Sequence, residues 1–589
     1  MQIASSPWSM SPALLARLAI VAIAPAASAA PPSFSNQTAS SGLVASHSTS
    51  GFTNWQYAGG GAVGDFNRDG WMDVFFISGG SGNAPDRLFI NNGNGTFTNQ
   101  APAWGLTTVH RGKSACVGDF DNDGWPDLYV TSAGPVGAPG AGHHKLYRNN
   151  GGTSFTNVAA AAGVAFADPT AESAWTAAFG DYDLDGDLDL FVGGFAGAPS
   201  NTEQRLFRNN GNGTFTDITA SIGLLSGIGP IALLAVRFAD MNGDRYPEIL
   251  AIGDFKGAGY IGSRYFRNNG NGTFTDATNA ANVGNEENGM GQAIGDFDNN
   301  GLIDWYATSI HQPSIGWTGN KLYRNLGTGA FAEIAASAGV ADGGYGWGAV
   351  GVDVNHDGWE DLLETNGDAA PGSSFYNDPS YLWLNNGNNT FTDVSVASGF
   401  IFSIKGRALL RLDADNDGDQ DILIYRNNGT LTLFRNDLVA AADTRWLRIF
   451  LDPRGFPGFT PDGIGARVTV VTNGQSRVRL IDSGVSFLGT SEFSAHFGLG
   501  SATIADEVRV LWQNGVQTVL TNVPLNQTLT ITPADPPCDG DLDRDGTIGA
   551  GDLGVLLGAW GTAAGDLDGD GTTGAADLSI LLGGWGGCL

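Results

Sequence analysis

The chain has 589 residues, including 88 glycines, 32 phenylalanines and 15 tryptophans, and only 15% of its residues are charged. Abundant glycine and aromatic residues are typical of many short strands joined by tight turns rather than of helical bundles. The formal net charge of −31 argues against nucleic acids and anionic membranes as partners, because both would repel the protein.

The first 29 residues are predicted to form a signal peptide. Residues 14–27 are apolar apart from Arg17, and Ala27-Ser28-Ala29 resembles a cleavage site. A membrane anchor is the alternative, but this run is too short to span a bilayer comfortably, and no other stretch is long and apolar enough. We therefore expect a secreted protein, or one at the extracellular surface, without membrane insertion.

Seven repeats dominate the chain, and each contains an apolar segment, an Asp-rich loop and a second apolar segment. The first copy reads GDFNRDGWMDVFF and the last LDADNDGDQDILI. We number the loops one to seven along the chain. Their first aspartates, spaced 54 to 62 residues apart, are Asp65, Asp119, Asp181, Asp240, Asp296, Asp353 and Asp413.

A second signature lies between consecutive Asp loops and predicts a β-hairpin. It reads RLFRNNGNGTFTD from Arg205, and an Asn-Gly turn between alternating apolar residues is a strong hairpin signal. Four strands in each of seven repeats predict a mainly β chain with a seven-bladed β-propeller over residues 33–440. A linear solenoid is the alternative, but capping units are not apparent. The segment from Ser33 resembles a blade-opening strand, so we expect it to complete the last blade.

The loops follow the pattern D-x-[DN]-x-[DN]-G-x-x-D, which suits a hard divalent cation. Carboxylates and amides at alternate positions of the turn point inward, and the glycine allows the bend. Calcium takes about six to eight oxygen ligands, whereas Mg²⁺ prefers fewer protein ligands in octahedral geometry. Metal-free Asp-Gly turns are the alternative, but carboxylates packed this closely would repel one another without a cation. The pattern therefore predicts calcium.

The predicted ligands are the side chains at positions one, three, five and nine, with the residue at position seven in some loops. They are Asp65, Asn67, Asp69, Trp71 (through its carbonyl) and Asp73; Asp119, Asp121, Asp123, Trp125 and Asp127; Asp181, Asp183, Asp185, Asp187 and Asp189; Asp240, Asn242, Asp244 and Glu248; Asp296, Asp298, Asn300 and Asp304; Asp353, Asn355, Asp357 and Asp361; and Asp413, Asp415, Asp417 and Asp421. In loop four Arg245 replaces the glycine. We expect weaker binding or a different bend there, with Arg245 partly substituting for the ion.

The repeats resemble the FG-GAP or VCBS repeats of integrin-α-type propellers, in which Asp-rich loops bind calcium. Residues 445–532 contain strand patterns such as ARVTVV and DEVRVLW, which predict a small all-β domain. Its segments DGIGARVTV from Asp462, HFGLG from His496 and VRVLWQNG from Val508 resemble the ASPIC/UnbV domain. The whole arrangement resembles the cartilage acidic protein family. That resemblance implies an extracellular, calcium-binding, adhesion-like protein without established catalytic residues.

A Pro-rich linker, residues 533–537, leads to a C-terminal unit, residues 538–589, with two copies of a different loop. The aspartates match positions 1, 3, 5 and 12 of an EF-type loop. Each loop precedes an LLxxW segment, whose leucines and tryptophan we expect on one side of a short helix. The predicted ligands are Asp541, Asp543, Asp545, Thr547 and Asp552, then Asp566, Asp568, Asp570, Thr572 and Asp577. Together with the seven repeat loops, they would allow up to nine calcium ions.

The two loop–helix units resemble a dockerin type I domain, and a generic EF-hand pair is the alternative. The resemblance implies calcium binding and a cohesin-like partner for attachment or assembly. The positions that often carry polar recognition residues hold Ala550, Gly551, Ala575 and Ala576. The identity of the partner therefore does not carry over.

Three cysteines are present. Cys538 and Cys588 flank the C-terminal unit, and they predict a disulfide if the protein reaches an oxidising compartment. Cys116 lies in an apolar segment and is expected to be a buried, unreactive thiol.

The sequence favours a binding protein over an enzyme. None of the seven histidines pairs with a cysteine or carboxylate at transition-metal spacing, and neither a G-x-S-x-G elbow nor a phosphate-binding loop is found. We expect a propeller face that binds an extracellular protein or glycan. A non-catalytic accessory factor of a polysaccharide-degrading system is one alternative, and a polysaccharide hydrolase or lyase is another. Trp71, Trp125 and Trp359 could stack on sugars, but their place inside loops favours packing against the blades.

Overall fold

The computed structural model describes residues 32–48, 58–79, 84–132, 143–165, 174–195, 204–224, 229–368, 370, 372–403, 405–533, 540, 542, 547–568 and 570–587. The predicted signal peptide and the proposed disulfide of Cys538 and Cys588 lie outside these ranges. Within them, no helix has the length and apolar character needed to cross a membrane.

Short strands make up most of the chain up to residue 436. They are β1 (Phe34–Asn36), β2 (Gly61–Gly64), β3 (Asp73–Phe76), β4 (Arg87–Asn91), β5 (Phe97–Asn99), β6 (Gly112–Gly118), β7 (Asp127–Ser132), β8 (Lys145–Asn149), β9 (Phe155–Asn157), β10 (Ala174–Gly180), β11 (Asp189–Gly194), β12 (Arg205–Asn209), β13 (Phe215–Asp217), β14 (Ala232–Ala239), β15 (Glu248–Asp254), β16 (Arg264–Asn268), β17 (Phe274–Asp276), β18 (Gln292–Gly295), β19 (Asp304–Ala307), β20 (His311–Gln312), β21 (Trp317–Thr318), β22 (Lys321–Asn325), β23 (Phe331–Glu333), β24 (Gly346–Val352), β25 (Asp361–Asn366), β26 (Tyr381–Asn385), β27 (Phe391–Asp393), β28 (Gly406–Leu412), β29 (Asp421–Arg426) and β30 (Thr432–Asn436). The connections contain the one-turn helices α1 (Thr38–Ser41), α2 (Ala159–Ala162) and α3 (Ala335–Ala338) and a 3-10 turn at Pro313–Ile315.

In the described ranges, these strands form seven four-stranded antiparallel units, called sheets one to seven. Their strand orders are β2-β3-β4-β5, β6-β7-β8-β9, β10-β11-β12-β13, β14-β15-β16-β17, β18-β19-β22-β23, β24-β25-β26-β27 and β28-β29-β30-β1. Each Asp loop joins the first strand of a sheet to its second. The first strands of sheets one to four contact their neighbours in turn, those of sheets five to seven do the same, and β28 also contacts β2. This arrangement is consistent with the blades of a β-propeller.

The N-terminal strand closes the ring of sheets. β1 pairs with β30, with Phe34 opposite Asn436 and Asn36 opposite Phe434, which confirms the expected completion of the last sheet. Each neighbouring pair of sheets shares a buried apolar cluster, and sheets seven and one share another. Cys116 lies in one of these clusters and is fully buried, as predicted. We call the seven sheets the sheet ring.

An asparagine at the end of each third strand links neighbouring sheets. Its side-chain amide donates to the carbonyl at position two of the Asp loop in the preceding sheet, over 2.7–2.9 Å. We call these residues the latch asparagines. They are Asn91, Asn149, Asn209, Asn268, Asn325, Asn385 and Asn436. Sheet one is latched to sheet seven in this way, so the interaction runs around the whole ring.

Removing one latch should destabilise the protein markedly. Asn149→Ala would leave the buried carbonyls of Phe66 and Pro126 without a donor, at about 1–3 kcal/mol for an unsatisfied buried group. Asn150, its neighbour, is exposed and bonds Ser154 and Thr156 at the surface. Asn150→Ala should therefore cost less than about 1 kcal/mol. Urea unfolding of both variants in calcium measures the difference, and equal losses would contradict a role for the latch.

A small β-sandwich follows the ring. Its strands are β31 (Arg445–Leu451), β32 (Arg467–Thr472), β33 (Gln475–Leu480), β35 (Ala495–Gly500), β36 (Ala505–Leu511), β37 (Gln517–Val523) and β38 (Gln527–Ile531), with a 3-10 turn at Pro461–Gly463. They form the sheets β35-β31-β38 and β33-β32-β36-β37. Leu447, Val468, Phe497, Val508 and Trp512 are buried between them.

The segment between β33 and β35, residues 481–494, leaves the sandwich and enters the middle of the ring. We call it the plug. It contains β34 (Gly489–Thr490), which pairs in parallel with β2 and β6 and so joins sheets one and two. The side chains of Val485, Phe487 and Leu488 are fully buried. A cavity of about 70 Å³ lies beside the plug.

The C-terminal unit contains α4 (Ala550–Gly558), α5 (Ala575–Gly583), and the short paired strands β39 (Thr547–Ile548) and β40 (Gly586–Gly587). Leu556 is buried in its core, whereas Leu557 is 53% and Trp560 is 48% exposed. Leu582 and Trp585 repeat this exposure. The expectation that both leucines and the tryptophan share one side was wrong, because Leu556 faces the core, whereas Leu557, and Trp560 beyond the end of α4, face solvent.

Candidate metal centres

Backbone hydrogen bonds to two carboxylates fix the shape of each Asp loop, and loop two shows the arrangement. Asp119 at position one accepts the N–H groups of Asp123 (3.1 Å) and Gly124 (2.8 Å). Asp127 at position nine accepts the N–H groups of Phe120 (3.0 Å) and of the latch residue Asn149 (2.7 Å). These hydrogen bonds tie the loop to the sheet that carries it, and both carboxylates are buried.

Three of the ring loops bring three carboxylates together as a cation would require. In loops two, three and seven, one oxygen from each carboxylate at positions one, three and nine lies within 4.8 Å of the others. The Oδ1 atoms of Asp121, Asp183 and Asp415 are buried there and have no hydrogen-bond partner among the described residues. Uncompensated buried carboxylate oxygens are costly, and calcium prefers such ligands. These residues therefore fit a calcium ion.

Loops one, five and six, all within the described ranges, do not form a carboxylate triad. In loops one and six the reason is local, because position three is an amide, and Asn67 and Asn355 donate to the position-five carboxylates over 2.8 and 3.0 Å. In loop five Asp298 pairs with Arg324, but Asp121 of loop two pairs with Arg148 in the same way, so this pairing does not explain the difference. The predicted ligands are still gathered in each turn, since Asp65, Asp296 and Asp353 each accept the N–H of the position-six glycine.

Loop four keeps the same bend despite its missing glycine. Arg245 has a left-handed φ of 78°, and its N–H donates to Asp240 Oδ2 as the glycine N–H does in the other loops. Its guanidinium points out of the loop and donates to the Gln513 carbonyl over 3.4 Å. The expectations that the loop bends differently and that Arg245 substitutes for the ion were therefore wrong.

Burial makes the loop carboxylates reluctant to ionise without a counter-ion. It raises the pKa values of the position-nine carboxyls well above their ordinary range. Loss of solvent is the main cause, and neighbouring carboxylates add to it. At position one it raises the pKa of Asp65 to about 6, of Asp119, Asp181, Asp296 and Asp413 to about 7, and of Asp353 to about 8.

Without calcium, the protein should become less stable as the pH rises. The position-one carboxyls other than Asp240 have pKa values of about 6 to 8 in the folded state but near 3.8 otherwise. The folded state therefore holds more protons between these values, and its free energy of unfolding falls across that window. Calcium would displace those protons and remove the trend. Thermal unfolding in chelator at about pH 5 and about pH 7.5 tests this, and a higher melting temperature at the higher pH would contradict it.

The tryptophans at position seven pack against the hairpin turns of their own sheets. Trp71, Trp125 and Trp359 are half-buried. Gly152, with a left-handed φ of 72°, lies so close to Trp125 that a Cβ there would come within 2.6 Å of the ring. This geometry supports the packing interpretation over sugar stacking.

The β-sandwich covers the face of the ring that carries the Asp loops, and it contacts every loop. The contacts are Asp462 with Arg68, Arg454 with Gly124, Gln513 with Asp181, the Gln513 carbonyl with Arg245, Arg467 with the Gly301 carbonyl, Arg477 with the Gly358 carbonyl, and His496 with the Gly418 carbonyl. Many of these partners are backbone groups at or beside position six, so the sandwich fits the folded shape of the loops. An open cleft of about 490 Å³ remains over loops two and three.

Two buried glutamates that the sequence did not single out support the loops from outside. Glu360 accepts the N–H of Asp296 over 2.9 Å, and Glu492 of the plug accepts the N–H of Asp413 over 3.2 Å. Glu360 pairs with Arg479 and Glu492 with Arg448. Glu360 lies within loop six, which was a usable signal, whereas nothing near Glu492 in the sequence points to loop seven.

The second C-terminal loop also gathers three carboxylates, those of Asp566, Asp568 and Asp577. Asp577 accepts the N–H groups of Leu567 and Gly574, both over 2.6 Å. In the first loop, Asp552 accepts the N–H groups of Leu542 and Gly549 in the same way. Asp541, Asp543 and Asp545 lie outside the described residues.

Comparison with known proteins supports the FG-GAP and ASPIC/UnbV resemblances and a distant similarity to cartilage acidic protein 1. Residues 458–537 match the ASPIC and UnbV family model, and residues 50–130 and 195–251 match the FG-GAP-like repeat model. Cartilage acidic protein 1 of Homo sapiens is 25% identical over 331 residues, which cover 46% of this chain and 47% of that protein. The same protein of Mus musculus is 26% identical over 301 residues, 41% of this chain and 44% of that protein. The chain spans less than half the length of these relatives.

Proposed function

We propose that the protein is an exported, calcium-binding and non-enzymatic binding protein whose sheet ring is a seven-bladed β-propeller. The observation that carries the proposal is the set of carboxylate triads, with their buried, unpartnered oxygens, in loops two, three and seven. The similarity of the chain to cartilage acidic protein 1 supports it. The propeller would bind an extracellular protein or glycan.

The contacts of the sandwich favour the ring face opposite the Asp loops as the binding face. The loop face is already occupied by the sandwich, whereas the other end of the ring carries half-buried aromatic rings from sheets four, five and six. These are Phe255, Tyr260, Trp317, Tyr345 and Phe375. Each Asp loop joins the end of a first strand to the start of a second strand. These aromatic residues come after the end of a second strand or before the start of a first strand, and therefore lie at the opposite end of the ring. Aromatic side chains of this kind are enriched at protein interfaces.

The C-terminal unit would serve attachment or assembly, as a dockerin-like module. Its two helices and the residues just after them present Val555, Leu557, Trp560, Leu582 and Trp585 to solvent at 41–53% exposure. Exposed apolar residues in such numbers on a unit this small favour a partner surface. A cohesin-like module is the partner that the resemblance suggests.

Calcium binding is testable with a matched pair of variants. Isothermal titration of the full-length chain should show several calcium ions bound. Asp183→Asn should lose or weaken one of them, because Asp183 supplies an unpartnered oxygen in loop three. Asp217→Asn, in the same sheet but paired with Arg205 at the surface, should bind as many ions as the wild type. No calcium uptake by the wild type would contradict the proposal.

Ligand binding is testable on the two faces separately. A glycan array and a pull-down from the native culture surface, both with the full-length chain in calcium, should give binding that Trp317→Ala reduces several-fold. Arg454→Ala, which alters the sandwich on the loop face, should leave that binding unchanged. The opposite pattern would place the ligand on the loop face. Release of new reducing ends from polysaccharide would instead support the hydrolase or lyase alternative.

A further inference from the structure

We propose that calcium in the Asp loops holds the β-sandwich in place, so that the sandwich and its plug form a stopper that loss of calcium releases. This inference rests on the proposed calcium binding and adds what the ions would do. It concerns contacts within the chain, because the sandwich lies against all seven loops and the plug lies against all seven sheets.

The plug reaches every sheet of the ring, mostly through hydrogen bonds. It contacts the first strands as follows: the Leu488 carbonyl with Gly61, Thr490 with the Ala115 carbonyl, Ser483 with Phe179, Val485 with the Val236 carbonyl, the Ser486 carbonyl with Gln292, Phe487 with Trp347, and Ser486 with the Leu409 carbonyl. Withdrawal of the plug would leave several of these buried groups unsatisfied, at a cost. Both ends of the plug continue directly into the sandwich strands β33 and β35, so the plug can leave the ring only if the sandwich moves away from the loops.

The sandwich contacts loop carbonyls whose positions depend on the shape of each turn, and a calcium ion in the loop would fix that shape. Arg467 and Arg477 donate to the carbonyls of Gly301 and Gly358 at position six. In each of these loops the glycine N–H is held by the position-one carboxylate, which is a predicted ligand. An ion that fixes this carboxylate also fixes the carbonyl on which the sandwich rests.

The negative charge of Asp462, on the part of the sandwich that faces loop two, also favours docking when a cation occupies that loop. Asp462 of the sandwich lines the same cleft as Asp119 and Asp123 of loop two. Its one ion pair among the described residues is with Arg68, over 3.0 Å. Docking without an ion brings this carboxylate towards an acidic loop, and a divalent cation in the loop would turn that repulsion into attraction.

The arginines of the sandwich act against this effect. Arg448 pairs with Asp413 of loop seven as well as with Glu492, and Arg479 pairs with Glu360 of loop six. The plug residue Asp482 pairs with Arg237 of sheet four. These ion pairs hold the sandwich and the plug to the ring without a cation, so the linkage to calcium rests mainly on the shape that an ion gives to each turn.

Hydrogen exchange of the full-length chain, in calcium and then in chelator, tests the inference. In chelator, hydrogen exchange in residues 481–494 should accelerate. The expected factor is about 100 for each calcium ion that only the docked form binds, when free calcium in the reference sample is 100 times the Kd of that ion. Strand β11 of the ring and strand β36 of the sandwich should stay protected. A plug that stays protected in chelator would overturn the inference, and so would loss of protection in all three segments together.

Two variants sharpen the test. Asp462→Asn removes the carboxylate that faces loop two but keeps a residue that tolerates its left-handed φ of 52°. It should reduce the acceleration caused by chelator several-fold. Glu507→Gln, at an exposed ion pair on β36, should not change it, and an equal effect of both variants would count against the role of Asp462. Calorimetry on the same samples separates the two proposals: absence of calcium uptake refutes the proposed function, whereas uptake without plug release refutes only this inference.

Discussion

The buried carboxylate at position nine of each Asp loop is the group on which the rest of the ring depends. In loop two, its two oxygens accept one N–H from its own loop and one from a latch asparagine on the third strand. The amide of that asparagine then reaches the loop of the preceding sheet. One carboxylate thus ties a loop, its sheet and the neighbouring sheet together. Its charge has little water to stabilise it, and a cation in the loop would supply what burial removes.

This coupling explains why the loops recur once per sheet. A ring of seven sheets has seven interfaces, and apolar clusters fill them without fixing how far each sheet rotates against the next. Directional hydrogen bonds from the latch asparagines fix that register at the loop end. The same end carries the sandwich, whose arginines and carbonyl contacts need seven loops of nearly one shape. A loop without calcium would therefore disturb two interfaces, one with the next sheet and one with the sandwich.

Much of this fold could be predicted from the sequence because its signals are local and repeated. The Asp pattern and the Asn-Gly turns are sufficient to predict the strands, the number of sheets and the candidate ligands. The latch role of Asn149 and its equivalents is present in the same signature, but a turn motif does not reveal which carbonyl in another sheet a side chain will reach. Helical geometry places Leu557 about 100° from Leu556, but which of the two is buried depends on how the two helices of the unit pack together.

The placement of the sandwich could not be predicted, because it depends on contacts between residues hundreds of positions apart. Ser483 meets Phe179, and Asp462 meets Arg68, with no pattern in either segment to announce the other. A small all-β domain after a ring of repeats reads as a separate module when only its strands are considered. Yet the plug carries buried charges, Glu492 among them, that are balanced by arginines of both units. Separating the two units would expose part of that network, so the ring and the sandwich are held together by shared buried charges and not only by the chain that links them.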